Sequence, residues 1–106
     1  MALCITSVAE LEAALQRYQR LVVDFHATWC GPCKFMGAKL NALAASHHTV
    51  QLATVDVDDA DQDFVQMLAV KSLPTVLFYL GGRLTERQEG WDPERTHTAW
   101  NNLVNG

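Results

Sequence analysis

Leu21-Val22-Val23-Asp24-Phe25-His26-Ala27-Thr28-Trp29-Cys30-Gly31-Pro32-Cys33-Lys34 is the stretch that decides how the chain is read. Leu21 to Ala27 is short, apolar and rich in β-formers, which predicts a strand buried on both faces. Two cysteines separated by Gly-Pro follow directly, and then a helical pattern to about Ser46 with Met36, Leu40 and Leu43 on one side. Cys30 therefore falls at or just before a first helical turn, where unpaired N–H groups and the helix dipole favour negative charge. A thiol there loses its proton more easily, and the thiolate is the form that attacks disulfides. Cys33 lies about one turn further on the same side, so the pair can close into a small loop. Pro32 sits in the first turn, where its missing N–H costs little. The pattern implies a reversible dithiol/disulfide centre. A zinc or iron–sulfur site is the competing reading, but it needs about four ligands, and Cys4, His47 and His48 form no second paired motif.

Working outward, residues 2–6 read as a short strand, and Ser7-Val8-Ala9-Glu10 as a capping box. Val8, Leu11, Leu15 and Tyr18 then recur at helical spacing. Downstream, Val50 to Val57 alternates as a strand with Ala53, Val55 and Val57 on one face. Asp59 and Asp61 are candidate caps for a short helix carrying Phe64, Val65 and Leu68. Leu73-Pro74 ends a loop before the strand Thr75–Leu80, and Gly81-Gly82 turns the chain into Arg83–Gln88 as a hairpin. Asp92-Pro93 opens a last helix with Trp100, Leu103 and Val104 on its buried side. Gly37 inside the long helix costs roughly 1 kcal/mol against Ala, which predicts close packing or a bend there. The order β-α-β-α-β-α-β-β-α predicts an α/β fold: a central mixed sheet of about five strands, flanked by about four helices on both faces.

At 106 residues the chain is read as one domain, 1–106, and 49% apolar with 19% charged residues is ordinary for a globular protein. A formal charge of −4 gives no basis for a nucleic-acid surface or a basic membrane patch. No apolar run approaches a membrane span. The N-terminal stretch has no basic residue before Arg17, so neither a secretory signal nor an Arg-rich transit peptide is expected. Three cysteines make no structural disulfide framework, and a CxxC beside an α/β pattern fits a reducing compartment. A cytoplasmic location and a monomer are the expectations. The acidic run Asp56, Asp58, Asp59, Asp61, Asp63 fails the calcium-loop template from Asp59, with Phe64 where Gly and Val70 where Glu belong. It is read as a strand end and helix cap on a solvated face. Cys4 lies outside every motif and is read as an apolar strand residue, with oxidative dimerisation or modification as the alternative. His47, His48 and His97 are read as surface helix residues.

Asp24-Phe25 before Trp29-Cys30-Gly31-Pro32-Cys33-Lys34, then Val55-Asp56-Val57-Asp58, Leu73-Pro74-Thr75, Gly81-Gly82 and Gly90, in that order over essentially the whole chain, resembles the thioredoxin family. The resemblance implies the thioredoxin fold and a general protein-disulfide reductase active in cell redox homeostasis. It implies Cys30 as the attacking thiol, whose relatives have a pKa near 7, and Cys33 as the resolving thiol. Asp24 is an acid in an apolar strand, where burial raises its pKa. The resemblance implies that it helps deprotonate Cys33; a partly exposed acid paired with a cation is the alternative. Gly31, Pro32 and Pro74 are implied to tune the dithiol, with Pro74 in a cis peptide packed against it. Pro74 is implied to hold the Leu73 backbone out for an extended target segment. Trp29, Gly31, Pro32, Leu73, Gly90 and Trp91 would make the docking surface. No cofactor is expected in the chain itself, its electrons coming from NADPH through a flavin-dependent thioredoxin reductase. Expected clients are a peroxiredoxin, a methionine sulfoxide reductase or ribonucleotide reductase.

The chain also departs from the family. His26 stands where many relatives have Trp, and an imidazole near the dithiol either tunes thiolate formation or merely fills surface space. Ala38 replaces a proline that often kinks the long helix, which predicts a straighter one. Thr54 stands where some bacterial relatives carry a lysine near the buried acid, which predicts a higher pKa for Asp24. Two rival functions stand beside the reductase. One is a disulfide oxidase or isomerase, whose relatives usually carry His rather than Pro before the second cysteine. The other is a non-catalytic thioredoxin-fold interaction subunit.

Overall fold

The computed structural model describes residues 2–106; Met1, the first residue of the expected domain, lies outside the described residues. Five strands and four helices alternate: β1 (Leu3–Cys4), α1 (Val8–Arg17), β2 (Arg20–His26), α2 (Gly31–Ser46), β3 (Gln51–Asp56), α3 (Gln62–Met67), β4 (Thr75–Leu80), β5 (Arg83–Glu89) and α4 (Pro93–Asn105). The sheet order is β1-β3-β2-β4-β5. β3 runs parallel to β1 and β2, whereas β4 is antiparallel to both β2 and β5. The expected mixed sheet with helices on both faces is what forms.

Strand alternation explains why β2 reads as an unbroken apolar run. Leu21, Val23 and Phe25 enter one core with Leu11, Ala14, Ala53, Val55 and Phe64. Val22 enters the other, with Met36, Leu40, Leu52, Phe78, Trp100 and Leu103. Asp24 and His26 share the parity of Val22, so both point to the α2 side of the sheet. The edges are poor templates for another strand. β1 is two residues long, while β5 carries Arg83, Glu86, Arg87 and Glu89, and its register shifts against Phe78 and Tyr79.

Several local expectations are revised. β1 is shorter than residues 2–6, because the Thr6 N–H is taken by Glu10 Oε1 at 2.7 Å and the Thr6 carbonyl accepts the Asp61 N–H at 2.9 Å. Ser7 does cap α1 by accepting the Glu10 N–H. Glu10, however, reaches back to the Thr6 N–H and hydroxyl rather than to the capping residue's own N–H. Asp61 occupies the N-cap of α3 without a side-chain bond. Cys4 lies in strand β1 as expected, but its side chain is exposed rather than packed in the core. His47 is no idle surface residue: it caps the end of α2, and its Nδ1 lies 3.1 Å from the indole N–H donor of fully buried Trp100.

α2 is one uninterrupted 16-residue helix, with Ala38 in place of a kinking proline. Gly37 is not closely packed, since a Cβ there would meet nothing within 4 Å. Gly37→Ala is therefore expected to stabilise the protein by about 1 kcal/mol, the ordinary helix-propensity difference. The check is a higher urea midpoint at unchanged slope.

Candidate active site

The site is built at the carboxyl end of β2, where the chain turns into α2. Cys30 is the N-cap of α2, with Gly31 and Pro32 exposed in the first turn. The Cys33 N–H donates to Cys30 Sγ at 3.2 Å, so a backbone donor of the helix start is aimed at the first sulfur. Cys30 and Cys33 are joined as a disulfide, with Cα atoms 5.4 Å apart. Both are buried and form a small cluster with Ala27, against which Leu73 and Val57 pack. The Leu73–Pro74 peptide is cis, and the buried Pro74 carbonyl accepts the Gly90 N–H at 2.8 Å. One hydrogen bond thus ties the loop before β4 to the turn after β5. Gly90 has φ +87°, yet a Cβ there would meet nothing within 4 Å. Glycine is needed there for its backbone conformation and not to leave room.

Asp24, on β2, is 3% exposed, and no hydrogen bond reaches its Oδ1. Burial pushes its carboxyl up to about 7. The neighbour across the parallel ladder is Thr54, whose hydroxyl donates to the Leu3 carbonyl at 3.4 Å. No cation lowers the Asp24 pKa, and desolvation alone sets it. A cleft of about 300 Å³ runs along this face and is lined by Asp24, His26, Cys33, Lys34, Gly37 and Thr54, among others. It places the buried acid, the second cysteine and the half-buried His26 on one cavity. Such an arrangement can hold a proton on a carboxyl at neutral pH beside a sulfur that must lose one.

Trp29 is 69% exposed, and its indole N–H donates to Asp58 Oδ2 at 2.8 Å. Asp58, read from sequence as part of a solvated acidic face, thus fixes the ring beside Cys30. Sequence reasoning also passed over Phe35, which is 63% exposed and stacks on half-exposed Trp91, ring centres 6.3 Å apart at 25°. Its signal was present: Phe35 is a large apolar residue off the Met36–Leu40–Leu43 face. Among the described residues, no group of three or more His, Cys, Asp or Glu side chains is placed to hold a metal ion. No helix among them is long and apolar enough to cross a membrane.

Comparison with known proteins bears on this geometry. The thioredoxin family model matches residues 2–102. Thioredoxin of Gallus gallus is 38% identical over 96 residues, covering 91% of this chain and 89% of the relative. Thioredoxin of Mycoplasmoides gallisepticum is 36% identical over 90 residues, covering 85% and 89%. Oxidised mitochondrial thioredoxin 3 of Saccharomyces cerevisiae superposes with a TM-score of 0.89 at 29% identity, over 96% of this chain and 95% of that one. A chain from a structural study of thiol resolution in yeast mitochondrial 1-Cys peroxiredoxin, via the glutathione and thioredoxin systems, superposes at 0.88 with 28% identity. It is covered to 95%, over 96% of this chain.

Proposed function

The chain belongs to the thioredoxin family and is a dithiol–disulfide oxidoreductase; from that premise we propose a general protein-disulfide reductase, with residues 1–106 acting as one monomeric domain. The observation that carries this is the Cys30–Cys33 pair at the start of α2, with Cys33 sharing one cleft with a buried Asp24 whose Oδ1 has no hydrogen-bond partner. In the reduced protein, the Cys30 thiolate attacks one sulfur of a client disulfide, and the other client sulfur leaves as a thiolate that takes a proton. The Cys33 thiol gives its proton toward the Asp24 carboxylate through the shared cleft. Cys33 then attacks Cys30 Sγ, the second client sulfur leaves, and the Cys30–Cys33 disulfide closes. Two electrons have passed to the client.

Reopening the pair needs a reductant, and a flavin-dependent, NADPH-consuming thioredoxin reductase fits that role. Leu73 packs against the cysteine cluster and is followed by the cis peptide to Pro74, which suits pairing with an extended client segment. Gly31 and Pro32 leave the helix start open, and His26 on the Asp24 cleft is assigned a tuning role. A thiol peroxidase of the peroxiredoxin type is a fitting client, given the similarity to a chain from a peroxiredoxin study. Methionine sulfoxide reductase and ribonucleotide reductase belong to the same proposal by family analogy, as does a cytoplasmic setting in cell redox homeostasis.

Equilibrating the Cys30–Cys33 pair against a dithiol buffer separates a reductant from an oxidase or isomerase. The expected potential is the family's own, about −270 mV; a value near the isomerase range of about −180 mV would overturn the proposal.

A further inference from the structure

We propose that the Phe35–Trp91 stack is a recognition platform for an apolar, preferably aromatic, side chain next to the reactive cysteine of a client polypeptide. It rests on the reductase reading and specifies which clients that site favours. Phe35 is one of four large hydrophobic residues left exposed among the described residues. It lies four positions after Gly31 on α2, so it shares the helix face that begins beside Cys30. Trp91 follows Gly90, whose N–H is bonded to the Pro74 carbonyl, and Leu73 packs against the cysteines. The stack therefore continues the face on which Cys30 must meet a disulfide, reached both along α2 and through the Pro74–Gly90 bond.

The platform is held in place before anything binds. Buried Gln88 donates to the Asp92 carbonyl at 3.0 Å, and the buried Thr96 hydroxyl lies 2.9 Å from Gln88 Oε1. These bonds brace the connection that carries Trp91 on both sides, and a braced surface loses little freedom on binding. Two rings offset-stacked at this spacing present further aromatic surface to which a third ring adds by the same geometry. A second copy of the chain is a poorer occupant, because covering this face would cover the dithiol.

The test uses two synthetic peptides of equal length and charge, each with one internal disulfide, bearing either Phe or Ser beside the reactive cysteine. Hydroxyethyl disulfide serves as a substrate too small to reach the stack. The native protein is expected to favour the Phe peptide by about fivefold to tenfold in kcat/KM, the scale of one aromatic contact, carried in KM. Phe35→Ala is expected to erase that preference and leave hydroxyethyl disulfide reduction unchanged; Trp91→Ala is expected to erase the preference as well, while Trp91→Phe keeps it. Equal kcat/KM for both peptides in the native protein, or a preference surviving in both alanine variants, would overturn the platform. So would a dimer in sedimentation that Phe35→Ala dissolves. A native protein that reduces neither peptide would instead overturn the reductase reading beneath it.

Discussion

Cys30→Ser is expected to reduce protein-disulfide reduction to the uncatalysed background, a loss of at least about 10³-fold. The reason is the nucleophile and not the fold. Cys30 caps α2 and its sulfur receives the Cys33 N–H, a place a serine hydroxyl fills well, since serine is a favoured N-cap. The hydroxyl cannot ionise near neutral pH, however, so the backbone donor that would assist a thiolate has no anion to assist. Cys33→Ser behaves differently because it removes only the second half of the exchange. Attack by Cys30 proceeds, the mixed disulfide forms, and resolution stops. Insulin reduction followed by turbidity, with intact mass on the same samples, separates the two variants. Substantial reduction by Cys30→Ser would contradict the assigned order of attack, and so would a mixed disulfide accumulating on Cys30→Ser but not on Cys33→Ser.

The second large effect is on stability and carries the opposite sign from most active-site losses. Burial holds the Asp24 carboxyl at about 7, against 3.8 for the free side chain. Between those values the native state keeps a proton that the unfolded chain has released. Stability therefore falls as pH rises from about 4 to about 7 and is level above that, a difference of about 4 kcal/mol through this one group. Asp24→Asn, which never ionises, is expected to match the native protein near pH 4 and to exceed its stability by up to that amount at pH 8. Urea unfolding at both pH values provides the check, and equal midpoints at pH 8 would refute the account. The same variant loses the proton acceptor for Cys33, so release of the client from the mixed disulfide is expected to slow by about 10²-fold. Function and stability are thus set against each other at a single carboxyl.

The parts of this molecule that are local in sequence could be read there. An apolar run ending in Cys-Gly-Pro-Cys announces a buried strand feeding a helix, and counting alternate residues puts Asp24 on the same face as Val22. What could not be read depends on which distant groups claim a donor or acceptor. Thr6 leaves the strand because Glu10 and Asp61 compete for its backbone. His47, besides ending α2, meets Trp100 from another helix, which arrives with an N–H to place. Trp29 with Asp58, and Phe35 with Trp91, are pairs joined by the folding of separate segments. Each residue was visible, but its partner was not. Gly37 and Gly90 teach a related lesson: a glycine in the sequence does not say whether space or backbone angle requires it.

The strand order has one more consequence. β2 is the middle of five strands, with β3 and β4 on either side, and the redox pair hangs from its end. Local opening of a folded protein begins where protection is least, at the margins of its hydrogen-bonded network. Here those margins are a two-residue strand and a bulged, charged hairpin arm. Either can fray in passing without the sulfurs losing their seat, so the reactive pair is anchored to the last segment of the sheet to let go.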